Sequence, residues 1–209
     1  MSENKNIEKL KLVTPEFRVS HPHLFKPNAM KGSEKKSYSI EMLFDKTTTD
    51  IKVLQAPLIE AAKEKWGPDK NDWPKPLKLA YRDGDKPYGK NKEVKKEHKG
   101  MWVMKASSSA EFSRPHVVDK DPKIAITEEG KIYPGCYARA HLKAHAYTFA
   151  DKDGVKYILD AVQFIRDGVA IGGKKPADQM FGVIEGLEDE SDVDSPFGSD
   201  EENSEESFL

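Results

Sequence analysis

The sequence predicts a mainly β protein: a small, partly open antiparallel barrel of five or six strands, with one inserted helix and long connections. Three observations carry this. Residues 137–149, YARAHLKAHAYTF, alternate between a small apolar set and a set of rings and cations, as a strand with one buried face must. Asp153-Gly154 separates this run from a second alternating stretch, a strong hairpin signal. Only residues 51–66 carry a good helical pattern, and no strand–helix alternation of the doubly wound kind appears.

In chain order, residues 1–12 are polar, and positions 1–14 are expected to be a flexible N-terminus. Phe17 to Ser20 reads as a first strand. His21 to Pro27 follows as a turn-prone segment, because its prolines cannot donate to a ladder. Gly32 to Lys36 is a basic loop. Tyr38 to Phe44 alternates as a second strand, with Tyr38, Ile40, Met42 and Phe44 on one face. Thr47 to Asp50 supplies cap-type residues for the helix, whose apolar side is Ile51, Leu54, Leu58, Ala61, Ala62 and Trp66. Pro57 predicts a break near Ala56 or a kink, and Gly67 a stop.

Residues 67–99 are punctuated by Gly and Pro, with Trp73, Tyr81, Arg82 and Tyr88 set among lysines, and Lys90 to Lys99 is a basic run. A connection of this length is usually functional or mobile. Met101 to Ala106 is a strand, and Phe112 to Val118 an extended piece closed by a turn at Asp119 to Pro122. Tyr133-Pro134-Gly135 leads into the long strand. Val155 to Leu159 and Ala161 to Ile165 form the return strand, stopped by Arg166-Asp167-Gly168. Elements in this order match the OB-fold type of barrel, taken here to span residues 15–182. Trp66 and Phe164 are the aromatics expected in its core.

The net charge of −2 conceals an asymmetry. All 34 basic residues lie in positions 1–175, with 24 of the 36 acids, which leaves a surplus of ten positive charges there. Residues 176–209 hold the other twelve acids and no base. A basic body with an acidic tail concerns partners, since one part favours polyanions and the other repels or imitates them. Residues 183–209 are too polar to bury enough surface to order themselves, so a disordered tail is expected. It carries an apolar Phe208-Leu209 after Glu205-Glu206, an anchor suited to a partner's pocket.

No run of 18 apolar residues marks a membrane span, and no apolar leader opens the chain, so a cytoplasmic location is expected. Cys136, the single cysteine, is expected to be a small buried hydrophobe. His141 and His145 share a face but lie about 13 Å apart along a strand, too far for one metal. Asp151 to Gly154 lacks the remaining ligands of a calcium loop, and Asp83, Asp85, Asp119 and Asp121 sit in turns that favour Asp for local reasons. No phosphate-binding loop, dinucleotide fingerprint or nucleophile elbow occurs. Neither a cofactor, a metal nor an enzymatic activity is therefore expected.

The remaining chemistry is that of the long strand. Rings stack bases and cations meet phosphates, and the two in one row suit an unpaired nucleic-acid strand. Candidate stackers are Tyr38, Tyr88, Trp102, Phe112, Tyr147 and Phe149. Candidate phosphate partners are Lys36, Arg82, Lys105, Arg114, Arg139 and Lys143.

A set of segments in fixed order adds to this reading: His21-Pro22-His23-Leu24-Phe25-Lys26-Pro27, Lys36 through Phe44, Leu79 to Asp85, Ala106-Ser107-Ser108, Arg114 to Asp119, Tyr133 to Tyr137, Ala161 to Phe164, and Arg166-Asp167-Gly168 with Gly172-Gly173. In these the chain resembles the tailed-phage single-stranded DNA-binding proteins. The resemblance implies an OB-fold that binds single-stranded DNA with little sequence preference in phage replication or recombination, within the host cytoplasm. It also implies an acidic tail that recruits a polymerase, helicase or nuclease through Phe208 and Leu209, although Leu209 departs from a tail ending in the aromatic. A homodimer is left open. Two rival readings stand beside it: a metal-dependent nuclease or DNA-processing enzyme, and an acidic-tailed replisome adaptor without strong DNA binding.

Overall fold

In the computed structural model, residues 7–29, 34–88, 93–149 and 152–172 are described. The acidic tail, with Phe208 and Leu209, lies outside them, as do the basic loop around Gly32 and residues 89–92. The strands are β1 (Lys11–Val13), β2 (Phe17–Ala29), β3 (Lys36–Asp45), β4 (Lys78–Leu79), β5 (Tyr81–Asp83), β6 (Met101–Ser109), β7 (His116–Val118), β8 (Tyr137–Phe149) and β9 (Lys152–Arg166). The helix α1 (Ile51–Trp66) connects β3 to β4.

Five strands form the body. β2 pairs with β3, β3 with β6, β6 with β9, β9 with β8, and β8 with β2, so the pairing returns to its start. The β6–β9 seam rests on Ala106↔Tyr157, and the β2–β8 seam on Phe17↔Ala138 and Arg18↔Tyr137. The ring is therefore a partly open barrel. It is not wholly antiparallel, since β6, β7 and β4 all pair with β9 in parallel.

The alternation read from the sequence sets which side of each strand is inside. Ile40, Met42 and Phe44 of β3 meet Ala106, Met104 and Trp102 of β6 across the inner face. The small apolar set of β8, from Ala138 to Ala144, is buried with Leu159, Val162 and Phe164 of β9. Those small side chains let Phe17, Phe44 and Tyr157 fill the centre, where all three are buried. Helix α1 lays Leu54, Leu58, Ala61 and Ala62 against this core, and the Tyr157 hydroxyl donates to the Leu54 carbonyl at 2.8 Å. Trp66 is half-buried against the core, whereas Phe164 is buried. Cys136 is also buried, which pushes its thiol up to about 11.

Four local expectations change. Helix α1 runs through Pro57 without the break that was one of the two outcomes expected there. The missing donor would serve the carbonyl of Val53, an exposed position, while the Pro57 ring is buried in the apolar interface that holds the helix in place. β2 continues past Ser20 to Ala29, and its register shifts fall between Ser20 and His23 and between His23 and Asn28. Pro22 and Pro27 occupy those two irregularities, where the ladder asks for no donor, and His21 takes a positive φ of 44° there. Asp153-Gly154 does not form the hairpin turn, because pairing extends to Phe149↔Lys152. Gly154 instead lies opposite Tyr147, and a Cβ there would come within 2.6 Å of the Tyr147 hydroxyl. Within the stretch expected to be flexible, β1 pairs with β8, and Leu10, Leu12 and Thr14 are buried.

Candidate nucleic-acid interface

Each strand also has an outward parity, and on β2, β3, β6 and β5 it builds one continuous face. Ser20 and His23 of β2 lie across from Glu41 and Ser39 of β3, which in turn lie across from Lys105 and Ser107 of β6. Arg82 of β5 is opposite Val103 of β6 and so joins the same side. A cleft of about 270 Å³ runs over this face, lined by His21, His23, Asn28, Ser37, Ser39, Glu41, Lys95 and Lys105. Lys105 is exposed at its floor.

Arg82 and Tyr88 stand at the edge of this face, the guanidinium 4.4 Å from the ring centroid and the ring 65 % exposed. Below them a buried polar chain links four elements. Arg82 Nη2 donates to His98 Nδ1 at 2.8 Å, and His98 Nε2 is 3.1 Å from Glu41 Oε1. Because arginine can only donate, His98 Nδ1 accepts, and the ring proton belongs on Nε2, facing the carboxylate. Burial holds the His98 pKa below its ordinary value, which keeps this neutral tautomer. Ser20 Oγ adds a hydrogen bond to Glu41 Oε1 at 3.3 Å.

His98 ends a short 3-10 turn, Lys96–His98, that closes the basic run. That turn is seated by close backbone approach: a Cβ on Gly84 would lie 2.1 Å from the His98 carbonyl oxygen. Nearby, Lys46 is held by both Asp83 and Asp85 and lies 4.6 Å from the Trp102 ring, which fixes β5 beside β6. Those contacts lower the Asp83 and Asp85 pKa values, chiefly through the Lys46 hydrogen bond.

The predicted residues fall into five places, four around the cleft and the fifth on β8. Lys105, Arg82 and Tyr88 share the cleft face. Lys36 and Phe112 lie at one rim, where the Ala110 amide bonds the Lys36 carbonyl and the Phe112 ring is 86 % exposed. Around the corner Arg114 covers Phe25 at 4.5 Å, beside a second cleft of about 490 Å³ that shares His21 and His23 with the first. Tyr38 and Trp102 carry the inward parity of Ile40 and Met104; both are half-buried, and Trp102 packs on the core.

The row on β8 faces outward as its alternation requires, but from the strand across the ring from the β3–β6 seam. Arg139 Nε donates to Gln163 there at 2.7 Å, and Lys143 stands exposed beside Lys11 of β1. Tyr147 lies against Gly154 with the Lys156 ammonium 5.6 Å from its ring, and Phe149, 71 % exposed, is at the β8–β9 hairpin end. Connections of that kind flank the binding face in this fold type. His21, His23, Lys95 and the Glu41–His98 pair were not singled out from sequence. Their signals were indirect: a His-Pro-His segment whose prolines interrupt an otherwise strand-like stretch, and the basic run that holds Lys95 and His98. Among the described residues, no group of three or more His, Cys, Asp or Glu is placed to hold a metal ion.

A partly open five-strand ring of this pairing order, with a cation-bearing face, is the OB-fold type of barrel. The chain belongs to the family described as "Enterobacter phage Enc34, ssDNA-binding protein", whose model matches residues 10–194. A relative from Acyrthosiphon pisum secondary endosymbiont phage 1, "Putative protein p50", is 31% identical over 173 residues, covering 78% of this chain and 88% of the relative. The solved single-stranded DNA-binding protein of bacteriophage Enc34, in complex with ssDNA, shares the fold at TM-score 0.66 and 24% identity, over 78% of this chain and 90% of that one. The gp2.5 single-stranded DNA-binding protein of bacteriophage T7 does so at TM-score 0.55 and 13% identity, over 84% and 96% of the two chains.

Proposed function

We propose that this chain binds single-stranded DNA with little sequence preference along the outer face of β2, β3, β6 and β5, and that it serves phage DNA replication or recombination. The observation that carries the reading is the meeting of Lys105 and Lys95 in one open cleft, with the Arg82–Tyr88 pair at the edge of the same face. Cations there meet phosphates, and an exposed ring stacks any base, because every base has a π-face. Membership of the Enc34 family supports the same ligand. Binding to oligo-dT should exceed binding to duplex of equal length, with log affinity falling linearly in log salt by about 0.7 for each phosphate met. Equal affinity for the two, titrated by fluorescence anisotropy, would remove the reading.

The acids between Glu185 and Glu206 are proposed to compete with DNA for the basic body, and Phe208 with Leu209 to engage a replication enzyme. Deleting residues 185–209 should tighten binding to oligo-dT, most at low salt, and the gain should vanish as salt screens both interactions. Unchanged affinity at low salt would dispose of the competition.

A further inference from the structure

A carboxylate on the floor of a polyanion site ought to weaken binding, since like charges a few ångströms apart repel strongly in a half-buried setting. Glu41 occupies that position, between Ser39 and Lys105 in the cleft. Its oxygens are already engaged from every side. Oε1 takes His98 at 3.1 Å and Ser20 at 3.3 Å, with His21 Nδ1 at 3.5 Å, and Oε2 lies 4.0 Å from Arg82. Lys105 is its cross-strand neighbour. A carboxylate hydrogen-bonded from β2 and from the 3-10 turn, with the Arg82 charge 4.0 Å away, has little field left to oppose a phosphate.

The second observation is the guanidinium. Nη2 of Arg82 is tied to His98, which is itself tied to Glu41. Nη1 is buried with no hydrogen-bond partner among the described residues. One edge is thus fixed to the protein and the plane rests against the exposed Tyr88 ring, so the unmet, charge-assisted donor on Nη1 becomes available to a ligand oxygen when that ring moves aside to stack on a base.

We propose that Glu41 and His98 are positioning residues that aim the Arg82 guanidinium at single-stranded DNA, so that this acid strengthens the binding it would be expected to oppose. The inference rests on the reading of this cleft as the DNA site. His98 relays the constraint, because its neutral ring presents an acceptor to Arg82 and a donor to Glu41. A glutamine amide offers the same pair, whereas leucine offers neither.

The test is oligo-dT binding across a salt series, with thermal unfolding of each variant as a control for folding. Glu41→Gln should weaken binding about tenfold, the scale of one charge-assisted contact, and lessen the salt slope by about 0.7 as Arg82 drops out of register. His98→Leu should do the same, and His98→Gln should restore most of the loss. In an Arg82→Ala background, Glu41→Gln should change nothing further. Tighter binding by Glu41→Gln would overturn the proposal, and so would a loss that adds in full to that of Arg82→Ala. Should His98→Leu fail to fold, the Glu41–Arg82 cycle decides alone. If oligo-dT binds but Arg82→Ala and Lys105→Ala both leave affinity unchanged, the cleft reading itself falls, and the positioning role with it. If Lys105→Ala weakens binding while Glu41→Gln tightens it, only the positioning role falls.

Discussion

Replacing Arg82 and Lys105 together by alanine should lower oligo-dT affinity about a hundredfold at low salt, each side chain supplying one charge-assisted contact. The salt slope should fall by about 1.4, or 0.7 for each phosphate no longer neutralised. Lys105 is exposed, so its loss should leave the fold intact; Arg82 is 19% exposed and tied to buried His98, so thermal unfolding of each variant separates a lost contact from a lost fold. The informative contrast is Arg139→Ala with Lys143→Ala. These two face outward from β8, and Arg139 already spends one N–H on Gln163. They should cost clearly less than the pair in the cleft. If the β8 pair costs more, DNA runs over the far side of the ring, and the row first noticed in the sequence is its track.

Tyr157→Ala should destabilise the fold by about 3–5 kcal/mol, the range for losing a buried aromatic. The side chain is fully buried and lies at Ala106↔Tyr157, the registered pair that joins β6 to β9. Its hydroxyl also ties the barrel to helix α1 through the Leu54 carbonyl. Burial pushes the phenol pKa upward, so the group stays a neutral donor at any ordinary pH. Tyr157→Phe separates the two roles: it keeps the ring and should cost about 1 kcal/mol, the net worth of one hydrogen bond. Urea unfolding with an unchanged slope measures both. A Tyr157→Ala variant within 1 kcal/mol of the parent would mean that the seam does not depend on this residue.

The long strand, its hairpin partner and helix α1 were legible because their patterns are local and strong. Thirteen alternating residues in β8 leave no second choice of face. The extension of β2 was hidden for an equally local reason: Pro22 and Pro27 look like strand breakers until bulges accommodate them. The break considered at Pro57 does not occur, since the tolerance of that residue inside α1 comes from the core that the helix packs on. Among the proposed DNA contacts, Arg82, Tyr88 and Lys105 could be chosen by residue type. Nothing in the sequence placed Arg139 and Lys143 apart from them.

By itself the sequence determined which side chains share a face within each strand, where helix α1 lies, and that a basic body precedes an acidic tail. The tertiary structure alone decided which faces adjoin. Side-chain alternation is a property of a few consecutive residues, whereas strand order is settled by pairings between distant segments as the ring closes. The cleft is therefore assembled from His21, Glu41 and Lys105, with Arg82 and His98 tied to Glu41 beside and beneath it, and only pairings between distant segments bring them together.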